Sequence, residues 1–302
     1  DMGGGLGNSP FMGNGRHGID VFGRSRDVEI TANRIVDNRG SGVAIASGSS
    51  GVVLTRNEIG AWVHPVTGNI HDAGNLADGV TITAANGNTV GSGNVIGFNK
   101  GSGVHVENSV AAGLATGNRV AGAEIFGNSG HGVNVSGSSR QTIGGAGGDD
   151  GNIIKENLLD GIRLGADPRV RASAAPHGNL VSGNFVGTND NEEIDRNWGN
   201  RNGISVIDGV SNVLSRNTVM NNRDHGIEIA GGVGNTVGGQ TTNEGNFIGY
   251  NFSDGVFIHD NASTGRDVGV NGTVITAQGA GYAASRTNVI FTAPAVEGGV
   301  PA

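Results

Sequence analysis

NVIGFNKGSGVHV (residues 94–106) and NFIGYNFSDGVFI (residues 246–258) share a skeleton, Asn-x-Ile-x-x-Asn-x-x-x-Gly-Val-x-Ile, although 152 positions separate them. The last four positions, Gly-[Val/Ile]-x-[Ile/Val/Leu], occur nine times, opening at Gly18, Gly42, Gly79, Gly103, Gly132, Gly161, Gly203, Gly226 and Gly255. In eight of the nine an asparagine stands four residues earlier; the Gly203 copy lacks one there, with Asn200 displaced by a residue. A unit recurring at this interval is the signature of a solenoid, in which each copy buries its apolar face only against its neighbours.

The unit reads as strands. Within Gly-Val-x-Ile the apolar side chains alternate, the period of a strand with one buried face. Between Gly132 and Gly161 the chain runs GVNVS, QTIGG, GNIIKENLLD; between Gly226 and Gly255 it runs GIEIA, NTVGG, GNFIGYNFSD. Three short apolar runs per turn predict a three-sided coil whose strands each pair, in parallel, with their copies one coil on. At about 4.8 Å per coil, nine coils make a rod roughly 40 Å long. The recurring asparagine is expected to form a ladder in one turn, and glycine to supply turn positions with positive φ.

Composition agrees. The 302 residues include 58 Gly and 35 Asn but few aromatics (9 Phe, 2 Trp, 2 Tyr), a balance that suits turns and thin strands rather than a helical core. The net charge of −8 and the lack of a basic stripe argue against nucleic acid as a partner. No apolar run reaches the ~20 residues of a membrane helix, so no membrane insertion is expected. Cysteine is absent, which excludes disulfides and thiolate metal sites.

Over about residues 10–292 the repeat resembles the right-handed parallel β-helix proteins of the pectin-lyase-like superfamily. The resemblance implies an all-β, right-handed parallel β-helix solenoid with three strands per coil and about nine to ten coils. One domain is expected over 1–302, with irregular ends at 1–13 and 293–302. The family includes polysaccharide lyases, hydrolases, epimerases, tailspikes and non-catalytic surface proteins. It therefore implies an extracellular or cell-surface protein that binds or processes an acidic polysaccharide. The alternative is a non-catalytic repeat module of a surface protein, adhesin or filament. Such a module would meet a homo-oligomer or neighbouring domains through exposed β-helix ends.

The repeat also works as a coordinate system. The residue before each repeat glycine forms one column: His17, Ser41, Asp78, Ser102, His131, Asp160, Asn202, His225, Asp254. Neighbours in it fall about 5 Å apart, which makes His131 with Asp160, and His225 with Asp254, candidate acid–base pairs. Gly130-His131-Gly132-Val133-Asn134-Val135 is similar to the Gly-His-Gly strand motif of polygalacturonases, although the preceding coil has Gly101-Ser102 where that family carries aspartates. The middle position of Gly-Val-x-Ile points outward and reads Asp20, Ala44, Thr81, His105, Asn134, Arg163, Ser205, Glu228, Phe257.

His131, Asp160 and Arg163 are thus the candidate catalytic group, the Arg163 fork suiting a uronate carboxylate. His105, Asn134, Arg169, Arg171, His225 and Glu228 are candidate substrate-binding residues. Asp190, Glu192, Glu193 and Asp195 are oxygen donors dense enough for calcium, though no cofactor is required. Three loops break the repeat: 60–75 and 187–200 at equivalent places, and 165–178 in another turn.

Overall fold

The computed structural model describes residues 13–108, 115–166, 175–239, 241–259 and the backbone strand 274–276. Residues 1–12 and 293–302 of the expected irregular ends, and most of the 165–178 loop with Arg169 and Arg171, lie outside the described residues.

The chain is a right-handed parallel β-helix with three strands per coil. The first sheet contains the Gly-Val-x-Ile strands, nine of them, from Ile19–Val21 through Val104–Glu107 and Val133–Ser136 to Val256–His259. A second nine-stranded sheet runs from Glu29–Thr31 to Val274–Thr276, and a third of eight strands from Arg34–Ile35 to Phe247–Gly249. Register follows the repeat: Val80 pairs with Val104, Val104 with Val133, and Val133 with Ile162. Alternate residues therefore stack into columns inside the coil. Ile59, Ile96, Ile125 and Ile154 from the third sheet, with Ile82, Val106, Val135 and Leu164 from the first, are all essentially inaccessible.

The asparagine ladder extends through all nine coils. Asn14, Asn38, Asn75, Asn99, Asn128, Asn157, Asn200, Asn222 and Asn251 stack so that each Nδ2 donates to the next Oδ1, at 2.7–3.1 Å. Each backbone N–H of the row donates to that same oxygen. Asn200 takes its place although it stands one residue closer to its glycine, because the turn after it is one residue shorter. The other two corners have ladders too. Asn33, Asn57 and Asn94 stack in one, as do Asn152, Asn184, Asn217 and Asn246. Asn179, Asn212 and Asn235 stack in the other. A buried amide left without partners costs about 1–3 kcal/mol, so each rung ties one coil to the next.

The glycines divide into two kinds. At most corners a left-handed residue precedes the ladder amide, and it need not be glycine: Asp37, Phe98, Glu156 and Tyr250 all have φ between 55° and 61°, whereas Gly199, at the end of the 187–200 loop, has φ −67°. The repeat glycines are not left-handed, contrary to a purely conformational role. A Cβ on Gly132 would lie 2.5 Å from Ile154 Cγ2, 2.6 Å from the Gly161 oxygen and 2.9 Å from Asn157 Nδ2. Gly42, Gly79, Gly103, Gly161, Gly203 and Gly226 meet the same three obstacles. The repeat glycine exists because coil, core and ladder converge there with no room for a side chain.

Candidate functional site

Polar chemistry is concentrated on the outer face of the first sheet. Five of the chain's eight histidines stand there: His17, His105, His131, His225 and His259. The second sheet turns out Thr55, Thr89, Arg119, Thr142, Leu180, Val213 and Thr236, and the third carries the ion pairs Arg34–Glu58 and Lys155–Glu124.

The column before the repeat glycines is a hydrogen-bond chain. The N–H of Ser41 donates to His17 Nδ1, that of Ser102 to Asp78 Oδ1, and that of His131 to Ser102 Oγ. Farther along, the N–H of Asp160 donates to His131 Nδ1, that of Asn202 to Asp160 Oδ1, and that of Asp254 to His225 Nδ1. A ring nitrogen that accepts from an amide carries no proton, so His17, His131 and His225 hold theirs on Nε2.

The structure does bring His131 and Asp160 together, Nδ1 to Oδ2 at 3.4 Å. Asp160 is wholly buried, however, and Arg201 grips it through Nε at 2.9 Å and Nη2 at 3.0 Å. Burial lowers the His131 pKa to about 4, with the charges of Arg163, Arg201 and His105 adding to the effect and Asp160 opposing it. A neutral imidazole with its acceptor nitrogen occupied donates from Nε2 and takes no proton at neutral pH. Arg163 acts on His131 through its charge, while its Nη1 is 3.4 Å from Asn134 Oδ1 and its guanidinium lies over Gly165, where a Cβ would meet Cζ, Nη1 and Nη2 at 2.6 Å.

His105 is placed differently. Its Nδ1 lies 3.3 Å from Asp78 Oδ2 and its Nε2 3.1 Å from Ser136 Oγ, with Glu107 Oε2 at 3.9 Å from Nε2. Asp78 is itself fixed by the Ser102 amide at 2.6 Å and by Thr81 Oγ1 at 3.3 Å. Three coils thus contribute one residue each to a chain Asp78–His105–Ser136. Ser136 and Glu107 occupy the fourth strand position, which points outward by the same alternation as the second. The repeat alignment contains that column as well, four residues after each repeat glycine.

Three coils on, the face changes character. The His225 ring stacks on Phe257 at 4.5 Å and 15°, and Phe257 on His259 at 4.6 Å and 29°. Beside them Glu228 accepts from Asn202 Nδ2 (2.9 Å) and Ser205 Oγ (3.1 Å), with His259 Nε2 at 3.2 Å. A stack of flat rings next to a fixed carboxylate suits the C–H face and hydroxyls of a pyranose. Along the corner between the third and first sheets, the position after the ladder asparagine exposes Arg39, Lys100, Arg201 and Arg223. Farther round, Arg196, Arg223, Tyr250 and Phe252 line a depression of about 460 Å³.

The loops at 60–75 and 187–200 do occupy equivalent places. Each leaves the third sheet at a left-handed glycine, Gly60 or Gly187, both with φ 77°, and returns at a ladder asparagine. The first contains an antiparallel hairpin, Ala61–Val63 with Ile70–Asp72. Trp62 stacks on His71 at 4.7 Å under the Arg34 guanidinium, and Trp198 lies 5.0 Å from Lys155 Nζ. Both tryptophans are thereby engaged at the third sheet rather than on the polar face. The carboxylates in the second loop go to separate partners. Asp195 caps the short 3-10 turn Arg196–Trp198, Glu193 accepts from Asn189 Nδ2, Glu192 accepts from Thr218 Oγ1, and Asp190 is exposed. Among the described residues no three His, Asp or Glu side chains converge on a common metal position, so the structure does not gather the calcium donors expected from Asp190, Glu192, Glu193 and Asp195. No helix among the described residues is long and apolar enough to cross a membrane.

No protein-family model and no curated protein sequence matches the chain. Solved structures do share its fold. The A-module of the mannuronan C-5 epimerase AlgE6 from Azotobacter vinelandii matches with a TM-score of 0.50 at 12% identity, over 83% of this chain and 77% of that one. The periplasmic alginate epimerase AlgG matches at 0.44 and 15%, over 80% of this chain, which spans half the length of AlgG. The pectate lyase Pel9A matches at 0.39 and 13%, over 88% of this chain and 68% of that one. What these proteins have in common with the chain is the parallel β-helix.

Proposed function

We propose that the chain binds an acidic polysaccharide along the outer face of its first sheet, in an extracellular or cell-surface setting. The observation that carries this reading is that five of the eight histidines stand on one face, beside Asp78, Arg163 and Glu228 and with the His225–Phe257–His259 stack at one end. A polymer lying along the rod would meet Asp78, His105, His131, Asn134 and Arg163, then Glu228 and the His225–Phe257–His259 stack. Of the cations at the neighbouring corner, Arg201 is paired with Asp160 and Lys100 lies 3.7 Å from Asp72, so Arg39 and Arg223 with Arg163 are the local positive charge a polyanion would meet on a chain of net charge −8. Mannuronan is the first polymer to test, because the AlgE6 A-module shares the fold and is named for it.

Binding to mannuronan, polygalacturonate and neutral dextran, read by titration calorimetry, tests the proposal. Uronate polymers should bind and dextran should not, and Arg163→Ala with Phe257→Ala should weaken binding by about tenfold or more. Equal affinity for dextran, or an unchanged affinity in the double variant, would overturn it.

A second reading, a non-catalytic repeat module, is favoured by the hydrogen-bond chain before the repeat glycines. His17, Asp78, Ser102, His131, Asp160 and His225 each accept an amide of the next coil, so this column ties coils together. Under that reading polymer binding occurs without turnover. Release of unsaturated or reducing ends, or a changed epimer ratio, distinguishes the two.

A further inference from the structure

We infer that Asp78, His105 and Ser136 form an acyl-transfer relay, and that this face cleaves a small acyl ester. The argument starts from the tautomers. His17, His131 and His225 receive a backbone N–H at Nδ1, which puts their proton on Nε2 and leaves them without a free basic nitrogen. His105 presents Nδ1 to the Asp78 carboxylate at 3.3 Å, and a carboxylate only accepts. The His105 proton therefore sits on Nδ1, and Nε2 is left to accept from the Ser136 hydroxyl at 3.1 Å. A serine bonded to an imidazole that a fixed carboxylate orients is the arrangement that activates a hydroxyl nucleophile on unrelated folds. Here parallel register brings the three residues from consecutive coils to one face, and the His105 rotamer joins them across it.

The neighbouring groups complete the site. Ser136 pairs in register with Gly165, and it is over Gly165 that the Arg163 guanidinium lies. A cation there is placed to stabilise negative charge developing next to Ser136. Glu107 accepts from Thr83 Oγ1 at 3.1 Å and stands 3.9 Å from His105 Nε2, close enough to stabilise the imidazolium.

Ser136 Oγ attacks the ester carbonyl carbon while its proton passes to His105 Nε2, and the oxyanion faces Arg163. The tetrahedral species collapses, the alcohol departs with the proton from His105, and an acyl-Ser136 ester remains. Water, deprotonated by His105, hydrolyses that ester to the carboxylic acid and restores the serine. Ser136 is only 4% exposed, so a small acyl group such as acetyl reaches it and a long chain does not. That the natural alcohol is a polysaccharide hydroxyl rests on the function proposed above; the relay itself does not.

The test uses p-nitrophenyl acetate, p-nitrophenyl octanoate and a fluorophosphonate probe on the folded chain. The acetate should be hydrolysed faster than the octanoate by at least about tenfold, and mass spectrometry should place the probe on Ser136. Ser136→Ala should abolish labelling and lower acetate turnover by about a hundredfold or more, and His105→Gln should lower both with Ser136 still present. No hydrolysis above buffer, a probe on another residue, or full activity in Ser136→Ala overturns the relay. Mannuronan binding on the same preparations separates the two proposals: binding without ester cleavage removes only the relay, and cleavage without binding removes only the polysaccharide.

Discussion

Single positions in this chain have two unrelated reasons for being what they are, backbone freedom and lack of space, and substitution separates them. Gly87 has φ 63° with nothing near its missing Cβ, so Gly87→Ala should cost only the left-handed penalty, ~1–2 kcal/mol. Gly132 is not left-handed, yet its Cβ would strike the Gly161 carbonyl, which the Val133 amide holds at 2.8 Å. Gly132→Ala should therefore cost more, on the order of 3 kcal/mol, because backbone must move. Urea denaturation of both variants checks the order.

His131 gives a pH signature at the same scale. It titrates near pH 4 when folded and near 6.5 when unfolded. Between those values the unfolded chain holds a proton that the folded chain does not. Its contribution is complete above about pH 6.5 and is lost as pH falls toward 4, by up to ~3 kcal/mol. His131→Asn keeps an acceptor for the Asp160 amide and has no such proton. The difference in melting temperature between the variant and the parent should therefore shift in the variant's favour across that window. A parallel pair of pH profiles would refute the assignment.

Among elements, the corners matter more than the strands, which are two to four residues long. A two-residue strand has little pairing of its own, and the buried amides fix which coil it meets. Asn157 accepts from the backbone N–H and Nδ2 of Asn128 and donates to Asn200, so Asn157→Ala strips the buried Asn128 N–H of its acceptor and leaves Asn200 Oδ1 with the residue-157 N–H alone. A loss of about 3 kcal/mol or more is expected, with faster amide exchange in the coils on either side. Much of this was legible: the Asn-to-Gly spacing marks the turn, and the insertions at 60–75 and 187–200 fall where corners were expected. Asn200 was not, because spacing along the chain reports residues and the ladder reports position in space. A turn one residue shorter still delivers its amide to the same stack. The other two ladders leave a weaker trace in the sequence, because Ala123 and Gln141 take asparagine's place in them and interrupt the pattern.

For the molecule as a whole, the charge distribution sets how it should behave toward its partner. A net charge of −8 with cations gathered at one corner predicts attraction that is local and screened. Mannuronan affinity should fall several-fold between 50 and 300 mM salt, measured by calorimetry. Arg39→Ala with Lys100→Ala should flatten that dependence without altering the melting temperature by more than a degree or two, because exposed charges contribute little to stability. A salt-independent affinity would point to the ring stack alone.

The repeat by itself determined the rod, the direction of every side chain in the Gly-Val-x-Ile strands and the membership of each outward column. These follow from periodicity, because alternation along a strand and parallel pairing between coils leave no other freedom. Only the tertiary structure decided which members of a column are spent and which are available. Arg201 reaches back a coil to grip Asp160, backbone amides occupy the acceptor nitrogens of His17, His131 and His225, and Asp78 and Ser136 meet on either side of His105. Those outcomes depend on rotamers and hydrogen bonds between residues 23 to 42 positions apart, and a spacing rule carries no information about where a side chain turns once it leaves the sheet.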